Sequence, residues 1–352
     1  MTVIFNPPPH KNKTYMQRKK ILITGASGFI GGFLVDEALS RGYEVWAGIR
    51  IGSNKSNLLG KGVNFIYLPY EDEQELSECV RKHYEIWGAW DYVIHNAGVT
   101  KTRKKEEFHE VNAEYTRRLL KALGIYAVPE KFILMSSLSS YGCKDDKQYT
   151  PIKIDDIQNP NTEYGKSKLK AERYVRQQSE ISYIILKPTG VYGPGEKDYF
   201  NEIKSINLGI DCSIGCKPQQ LTFIYVKDLA RICFDAMENQ NIRNREFLLS
   251  DGDVYTDREF AAKIQELTGR KSVLHLRLPS FMVYIACLLS EIISRLFRFN
   301  TMFNTDKYKI LKQRNWKCDI TPVREDLGFV PRYKLKEGLK ESIEWYKDKK
   351  WL

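Results

Sequence analysis

The sequence has few cysteines, no long uncharged apolar run, and no acid at the end of its second expected strand. Each absence narrows what the chain can be. Seven cysteines in 352 residues are an odd number, and only Cys212 and Cys216 stand close together. That pattern is neither a disulfide framework nor a zinc site, so a reducing, cytoplasmic location is expected. The amino terminus (Val3, Ile4, Phe5, then Asn6 and three prolines) has no apolar core of signal-peptide length, and residues 1–19 read as a basic, proline-containing extension. The most apolar stretch, 279–299, is broken by Ser290 and Glu291 and is too short to span a bilayer. Lys and Arg number 55 against 44 Asp and Glu, a formal charge of +11. The lysines are scattered and no nucleic-acid motif accompanies them, so nucleic acid is not an expected partner.

What is present begins at residues 20–32, KILITGASGFIGG. A short apolar run (Ile21, Leu22, Ile23) breaks into Gly25, Gly28 and Gly31. Apolar residues then recur at helical spacing (Ile30, Phe33, Leu34, Ala38, Leu39) as far as Gly42. This is strand, tight turn, helix. Gly25 can make the turn, Gly28 lets a pyrophosphate approach the backbone, and Gly31 lets the helix pack closely on the strand. Ser27, Phe29 and Ile30 complete the loop, whose helix points unpaired amides and a positive end at a phosphate. The glycine spacing is two and two, not the one and two of the common dinucleotide fingerprint.

A second strand is expected at 44–50. An acid near its end would hold the ribose hydroxyls of a non-phosphorylated dinucleotide; Arg50 stands there instead, followed by Ser53, Asn54 and Lys55, which can grip a 2′-phosphate. NADP is therefore expected over NAD. Further strands are expected at 63–68, 91–94 and 131–136, with helices over 73–84 and 110–123, the latter carrying Asn112. Small Ala97 and Gly98 suit a backbone passing a flat ring, whereas His95, at a strand end, reads as structural. The charged segment 101–105 reads as a solvated helix start. Serines 136, 137, 139 and 140 follow the fifth strand, where parallel sheets bind ligands. Tyr164 and Lys168, four apart, share a helix face. An ammonium beside the phenol, helped by a positively charged nicotinamide, favours the phenolate and should bring its pKa down from about 10.

These pieces together resemble the extended short-chain dehydrogenase/reductase family, the NAD(P)-dependent epimerases, dehydratases and related reductases. The matching motifs are TGASGFIG at 24–31, HNAG at 95–98, Asn112, SSLSSYG at 136–142, YGKSK at 164–168 and KPTGVYGPG at 187–195. The resemblance implies an α/β fold, a doubly wound parallel Rossmann sheet with a smaller carboxyl-terminal substrate lobe. Residues 20–188 and 221–250 would form the dinucleotide-binding domain, and 189–220 with 251–352 the lobe. It implies Tyr164 as general acid/base, Lys168 tuning it and holding the nicotinamide ribose, Ser137 bonding the reacting oxygen, Asn112 in support and Pro188 near the nicotinamide. A homodimer and a small-molecule substrate are implied too. The family's sugar-nucleotide enzymes often carry an arginine where this chain has Leu221, which points toward a less polar substrate. The expected activity is hydride transfer at a secondary alcohol or ketone. The alternatives are a nucleotide-sugar epimerase/dehydratase with tightly held cofactor and a non-catalytic cofactor-binding regulator.

Strands are expected at 221–226 and 246–249, both returning to the main domain, with a helix over 227–237 between them. Thr256 and Glu259 are spaced as a capping box, and Thr321 with Pro322 should open a helix that Gly328 ends. The stretch 279–299, flanked by Arg277, Arg295 and Arg298, is expected to be a buried helix roofing the substrate pocket, with an interfacial membrane helix as the alternative.

Overall fold

The computed structural model describes residues 18–102, 104–142, 144–215, 217–297 and 304–352. The extension up to residue 17, Arg103, Cys216, Arg298 and the side chain of Arg295 lie outside the described residues.

The strands are β1 Lys20–Thr24, β2 Glu44–Ile49, β3 Asn64–Tyr67, β4 Tyr92–His95, β5 Lys131–Met135, β6 Tyr183–Pro188, β7 Gly190–Tyr192, β8 Ile210–Ile214, β9 Gln220–Leu221, β10 Phe223–Tyr225, β11 Arg245–Leu249, β12 Tyr255–Thr256 and β13 Leu274–Leu278. The helices are α1 Phe29–Ser40, α2 Glu73–Trp87, α3 Lys105–His109, α4 Tyr115–Tyr126, α5 Glu163–Arg176, α6 Asp198–Asn207, α7 Val226–Glu238, α8 Asp257–Thr268, α9 Ser280–Phe297, α10 Thr305–Lys312, α11 Thr321–Leu327 and α12 Leu335–Asp348. Seven strands form one parallel sheet in the order β11-β6-β5-β4-β1-β2-β3.

Helices cover both faces of this sheet, so its strands are apolar on both sides. Ile21 and Ile23 of β1 join the core beneath α1 and α7. Leu22 between them joins the opposite core with residues of α2, α4 and α5. That alternation is the period of two expected of a strand buried on both faces. The expected doubly wound Rossmann fold is what the chain adopts.

Residues 245–249 join the sheet as expected, but 221–226 do not. Phe223–Tyr225 instead pairs in parallel with Gly190–Tyr192 in a separate two-stranded ribbon. The reason lies in its side chains: Ile224 enters the sheet's core, while Phe223 and Tyr225 turn into a third, aromatic-rich core with Tyr192, Phe260, Leu339 and Tyr346. One short strand thus stitches the lobe to the sheet. The capping box forms, with the Glu259 amide donating to Thr256 Oγ1 (3.1 Å) and the Thr256 amide to Glu259 Oε2 (2.7 Å). Gly328 closes α11 in the left-handed region at φ 60°.

The expected burial of the 279–299 helix is overturned. Among the described side chains of α9 only Val283, Cys287 and Ser294 are buried, and Phe281, Ile285, Leu289, Ile292 and Leu296 face solvent. A run of apolar residues specifies a helix here, yet the protein core is wide enough to cover only one stripe of it. Among the described residues no helix is long and apolar enough to cross a membrane, and the five described cysteines are free thiols.

His83 on α2 makes a pH-sensitive packing element. Its ring stacks on Trp90 (centroids 3.8 Å) and meets the edge of Trp46 (4.3 Å), and neither ring nitrogen has a hydrogen-bond partner. Burial, with a smaller push from Lys20, holds its pKa down at about 3. The unfolded chain therefore binds the extra proton between pH 6.5 and 3, so stability is lost as pH falls through that window. The loss from this one group approaches about 1.4 kcal/mol per pH unit. His83→Phe should remove it and leave stability at neutral pH nearly unchanged, because no hydrogen bond is lost. Denaturant titrations at pH 7 and pH 5 check this, and equal acid sensitivity of the two proteins would contradict it.

Candidate active site

The sheet's order reverses direction at β1: β2 and β3 follow on one side, whereas β4, β5, β6 and β11 lie on the other. Loops leaving the carboxyl ends of β1 and β4 are therefore forced apart, opening the crevice in which such sheets hold ligands. The glycine loop after β1 meets the small residues after β4 here. Gly25 sits at φ 65°, and a side chain on it would strike the Ala97 backbone at 2.9 Å. Ala97 in turn donates its amide to Thr24 Oγ1 (3.1 Å). A side chain on Gly31 would land on the Gly25 carbonyl, so α1 packs against the loop as closely as backbone allows.

α1 begins without a side-chain cap and without an acid in its first turn. Its first amides, on Phe29 and Ile30 beside Ser27 and exposed Gly28, are left for an anion. The residues present thus fit a dinucleotide pyrophosphate. At the end of β2, Arg50 is exposed and its amide donates to Ser53 Oγ (3.2 Å). Lys55, expected with it, is engaged by the Tyr67 hydroxyl at 2.9 Å.

The catalytic candidates converge deeper in the same crevice. The helical segment carrying Asn112 starts earlier than expected, with α3 and α4 joined by one wide π turn over Glu110–Glu114. Such turns push a side chain out of the regular helix ladder. Asn112, buried on this turn, uses its whole amide. Oδ1 accepts from the Val99 amide (2.8 Å), and Nδ2 donates to the Val99 carbonyl (3.0 Å) and to Ser167 Oγ (3.0 Å). It pins the loop after β4 onto α5. A side chain on Gly98 would meet Asn112 Oδ1 at 2.9 Å and Lys168 Nζ at 3.3 Å, so only glycine fits between them.

Thr162 caps α5 through the Gly165 amide (3.0 Å). A second cap, absent from the sequence reading, comes from far along the chain: Asp306 of α10 accepts from the amides of Glu163 (2.9 Å) and Tyr164 (3.5 Å). Lys168 is buried and donates to the Met135 carbonyl (2.9 Å), with its ammonium 6.0 Å from the Tyr164 ring centroid. Burial pulls the Lys168 pKa down to about 8, with Glu172 working against it. Ser137 lies in the same pocket, accepting from the Ser139 amide (3.1 Å). Pro188 ends β6, in register with Leu249 of β11.

The expected lowering of the Tyr164 pKa is not found in the chain by itself. Burial raises it, and the Ser137 hydroxyl is the group that works the other way. At 6.0 Å across the ring, Lys168 does not offset that desolvation. His95 is structural, as expected. It bridges Thr24 Oγ1 (2.9 Å) and Thr116 Oγ1 (3.0 Å), and burial holds its pKa at about 3, so it is neutral and occupied. Lys101 pairs with Asp198, and its charged segment leads into α3 as a helix start.

Behind the site lies an ion network that the sequence reading missed. Glu172 and Lys187 are both fully buried and 3.1 Å apart. Lys187 also reaches Glu246 (2.8 Å), and Arg176 bonds both Glu172 (3.0 Å) and Glu246 (2.6 Å). Gln158 donates to Glu172 Oε2 (2.7 Å), and the Ser136 hydroxyl donates to Oε1. Burial works to lower the Lys187 pKa, but the two carboxylates override it and raise it. The network ties α5, β6 and β11 together directly beneath Ser137, Lys168 and Pro188.

A doubly wound sheet with a capless glycine-loop helix and a Tyr–Lys pair at its switch point defines a nicotinamide-dinucleotide enzyme class. The sequence profile of the NAD dependent epimerase/dehydratase family matches residues 21–249, and the chain belongs to that family. It is 27% identical over 339 residues to a UDP-glucose 4-epimerase of Vibrio cholerae, covering 93% of this chain and 95% of that one. It is 22% identical over 343 residues to the sterol-4-alpha-carboxylate 3-dehydrogenase, decarboxylating, of Dictyostelium discoideum, covering 92% and 99%. Among solved structures, the UDP-glucuronic acid 4-epimerase from Bacillus cereus in complex with NAD superposes with a TM-score of 0.72 at 21% identity, covering 94% of this chain and 99% of that one. The chain is an NAD-dependent family enzyme by these matches.

Proposed function

We propose that the protein is an NADP-preferring oxidoreductase that interconverts a secondary alcohol and its ketone on a weakly polar substrate. The observation that carries this reading is a chain of neighbours at the sheet's switch point: the Ser137 hydroxyl acts on Tyr164, the Lys168 ammonium lies 6.0 Å from the Tyr164 ring centroid, and Lys168 and Asn112 border Gly98. A bound nicotinamide supplies or accepts the hydride. Tyr164 exchanges the proton with the substrate oxygen, and the Ser137 hydroxyl holds that oxygen. Lys168 holds the ribose. Since burial keeps the phenol protonated in the chain alone, the charge that favours the phenolate arrives with the oxidised cofactor.

Leu221 supports the weakly polar substrate. It stands where sugar-nucleotide enzymes often have arginine, and its side chain packs on the aromatic core of the lobe. The sterol dehydrogenase among the relatives agrees with this choice. The Vibrio and Bacillus enzymes favour a second reading, a nucleotide-sugar epimerase that returns its cofactor unchanged. Sterol-type and long-chain ketones offered with NADPH should cause net cofactor oxidation; UDP-sugar conversion without net oxidation would establish the epimerase instead. Pairing of two copies through α4 and α5 belongs to the same reading and is checked by mass in solution.

NADP preference rests on exposed Arg50. Arg50→Asp should weaken NADPH binding about tenfold at low salt, and less at high salt, while sparing NADH. Calorimetric titration measures both, and unchanged NADPH affinity would remove Arg50 from the site.

A further inference from the structure

We infer that α9 seats the protein on the surface of an anionic lipid bilayer, lying in the boundary between headgroups and acyl chains without crossing it. This goes beyond the catalytic reading and does not depend on it.

An ordinary surface helix turns its apolar face to the core and its polar face to water. α9 instead is apolar on both sides and turns most of its apolar residues to water. Its protein-facing stripe is narrow, with Val283, Cys287 and Ser294 buried and Tyr284 leaning on Tyr308 of α10 at 5.2 Å. Its outward face runs Phe281, Ile285, Leu288, Leu289, Ile292 and Leu296, from 39% to 74% exposed. The single acid of the helix, Glu291, points to the protein side, accepting from the Thr305 amide (3.1 Å) and hydroxyl (2.8 Å). β13, which leads into α9, adds Leu274, Leu276 and Leu278 to the exposed apolar surface. An exposed apolar helix face of this extent is of the kind that marks an interaction site.

Charge identifies the occupant. A cleft at the amino end of α9, shared by Ser280, is lined by Lys147, Lys217, Lys312 and Arg314 against one carboxylate, Asp146. An apolar helix face with cations at its border matches an interfacial helix on acidic lipid. A second copy of this chain would cover the apolar face but would leave the cationic cleft at the end of the helix without an anionic partner, whereas an acidic lipid surface supplies both. At 18 residues the helix is about 27 Å long, short of a bilayer core, and one stripe is already held by protein. The seat is also close to the chemistry. α9 packs on α10, and α10 supplies the Asp306 that caps α5 at Tyr164.

Flotation of the full chain with phosphatidylcholine vesicles, with and without phosphatidylglycerol, tests the inference. The protein should bind the anionic vesicles at least about tenfold better than the neutral ones at low salt, and added salt should weaken that binding. The triple variant Ile285→Glu, Leu289→Glu, Ile292→Glu should lose binding about tenfold or more while keeping its circular dichroism and its dinucleotide affinity. Lys217→Glu with Lys312→Glu, remote from the helix core, should lose the preference for anionic lipid and serves if the triple variant misfolds. Absence of vesicle binding by the wild type, or binding that survives both sets of changes, overturns the inference. So does a wild-type dimer that the α9 variant dissociates without any vesicle binding, which would make a second copy the occupant.

Discussion

Tyr164→Phe should lower turnover by about a hundredfold to ten-thousandfold, the range spanned by positioned acid/base groups, and leave dinucleotide affinity within about twofold. The hydroxyl is the only group removed. The ring still meets Phe108 edge-on at 6.0 Å, and α5 keeps both of its caps, Thr162 and Asp306. Lys168 still donates to the Met135 carbonyl, so the side of the pocket proposed to hold the ribose is unchanged. Steady-state rates and a binding titration on the same preparation separate the two effects. Retained turnover would remove Tyr164 from the chemistry, and cellular function that survived the change would support a cofactor-binding regulator.

Glu172→Ala should destabilise the protein by about 3–5 kcal/mol, the cost of breaking a fully buried ion pair. Lys187, wholly enclosed, would keep only Glu246 as an acidic partner, the Ser136 hydroxyl would lose its acceptor, and the Gln158 amide would keep only Ser140 Oγ. The second variant that sharpens this is Glu172→Met with Lys187→Met, which removes both charges and should recover much of the loss, since an apolar replacement leaves no unpaired ion. Denaturant unfolding measures both. A single variant within about 1 kcal/mol of the wild type would mean that water enters the network and screens it.

The site was legible in the sequence where its chemistry is local. The glycine loop, the Tyr164–Lys168 spacing and the small pair Ala97 and Gly98 are short-range patterns, because one turn or one helix face sets their geometry. What stayed hidden depends on contacts between distant residues. Glu172, Lys187 and Glu246 meet only because β6 pairs with β11 and α5 lies over them. Asp306 reaches the start of α5 across more than a hundred residues of chain, and an isolated aspartate in the sequence carries no sign of that. The orientation of α9 was misread for a related reason: periodicity groups residues on a face without saying which face the core receives. The pKa of Tyr164 was misjudged because spacing counts the neighbouring ammonium and not the surrounding desolvation.

A crystal structure with NADP bound measures the central relation most directly. The pyrophosphate should rest on the amides of Phe29 and Ile30, with the nicotinamide between Pro188 and Tyr164 and its ribose on Lys168. A dinucleotide seated away from the glycine loop, or a nicotinamide out of reach of the Tyr164 hydroxyl, would contradict it.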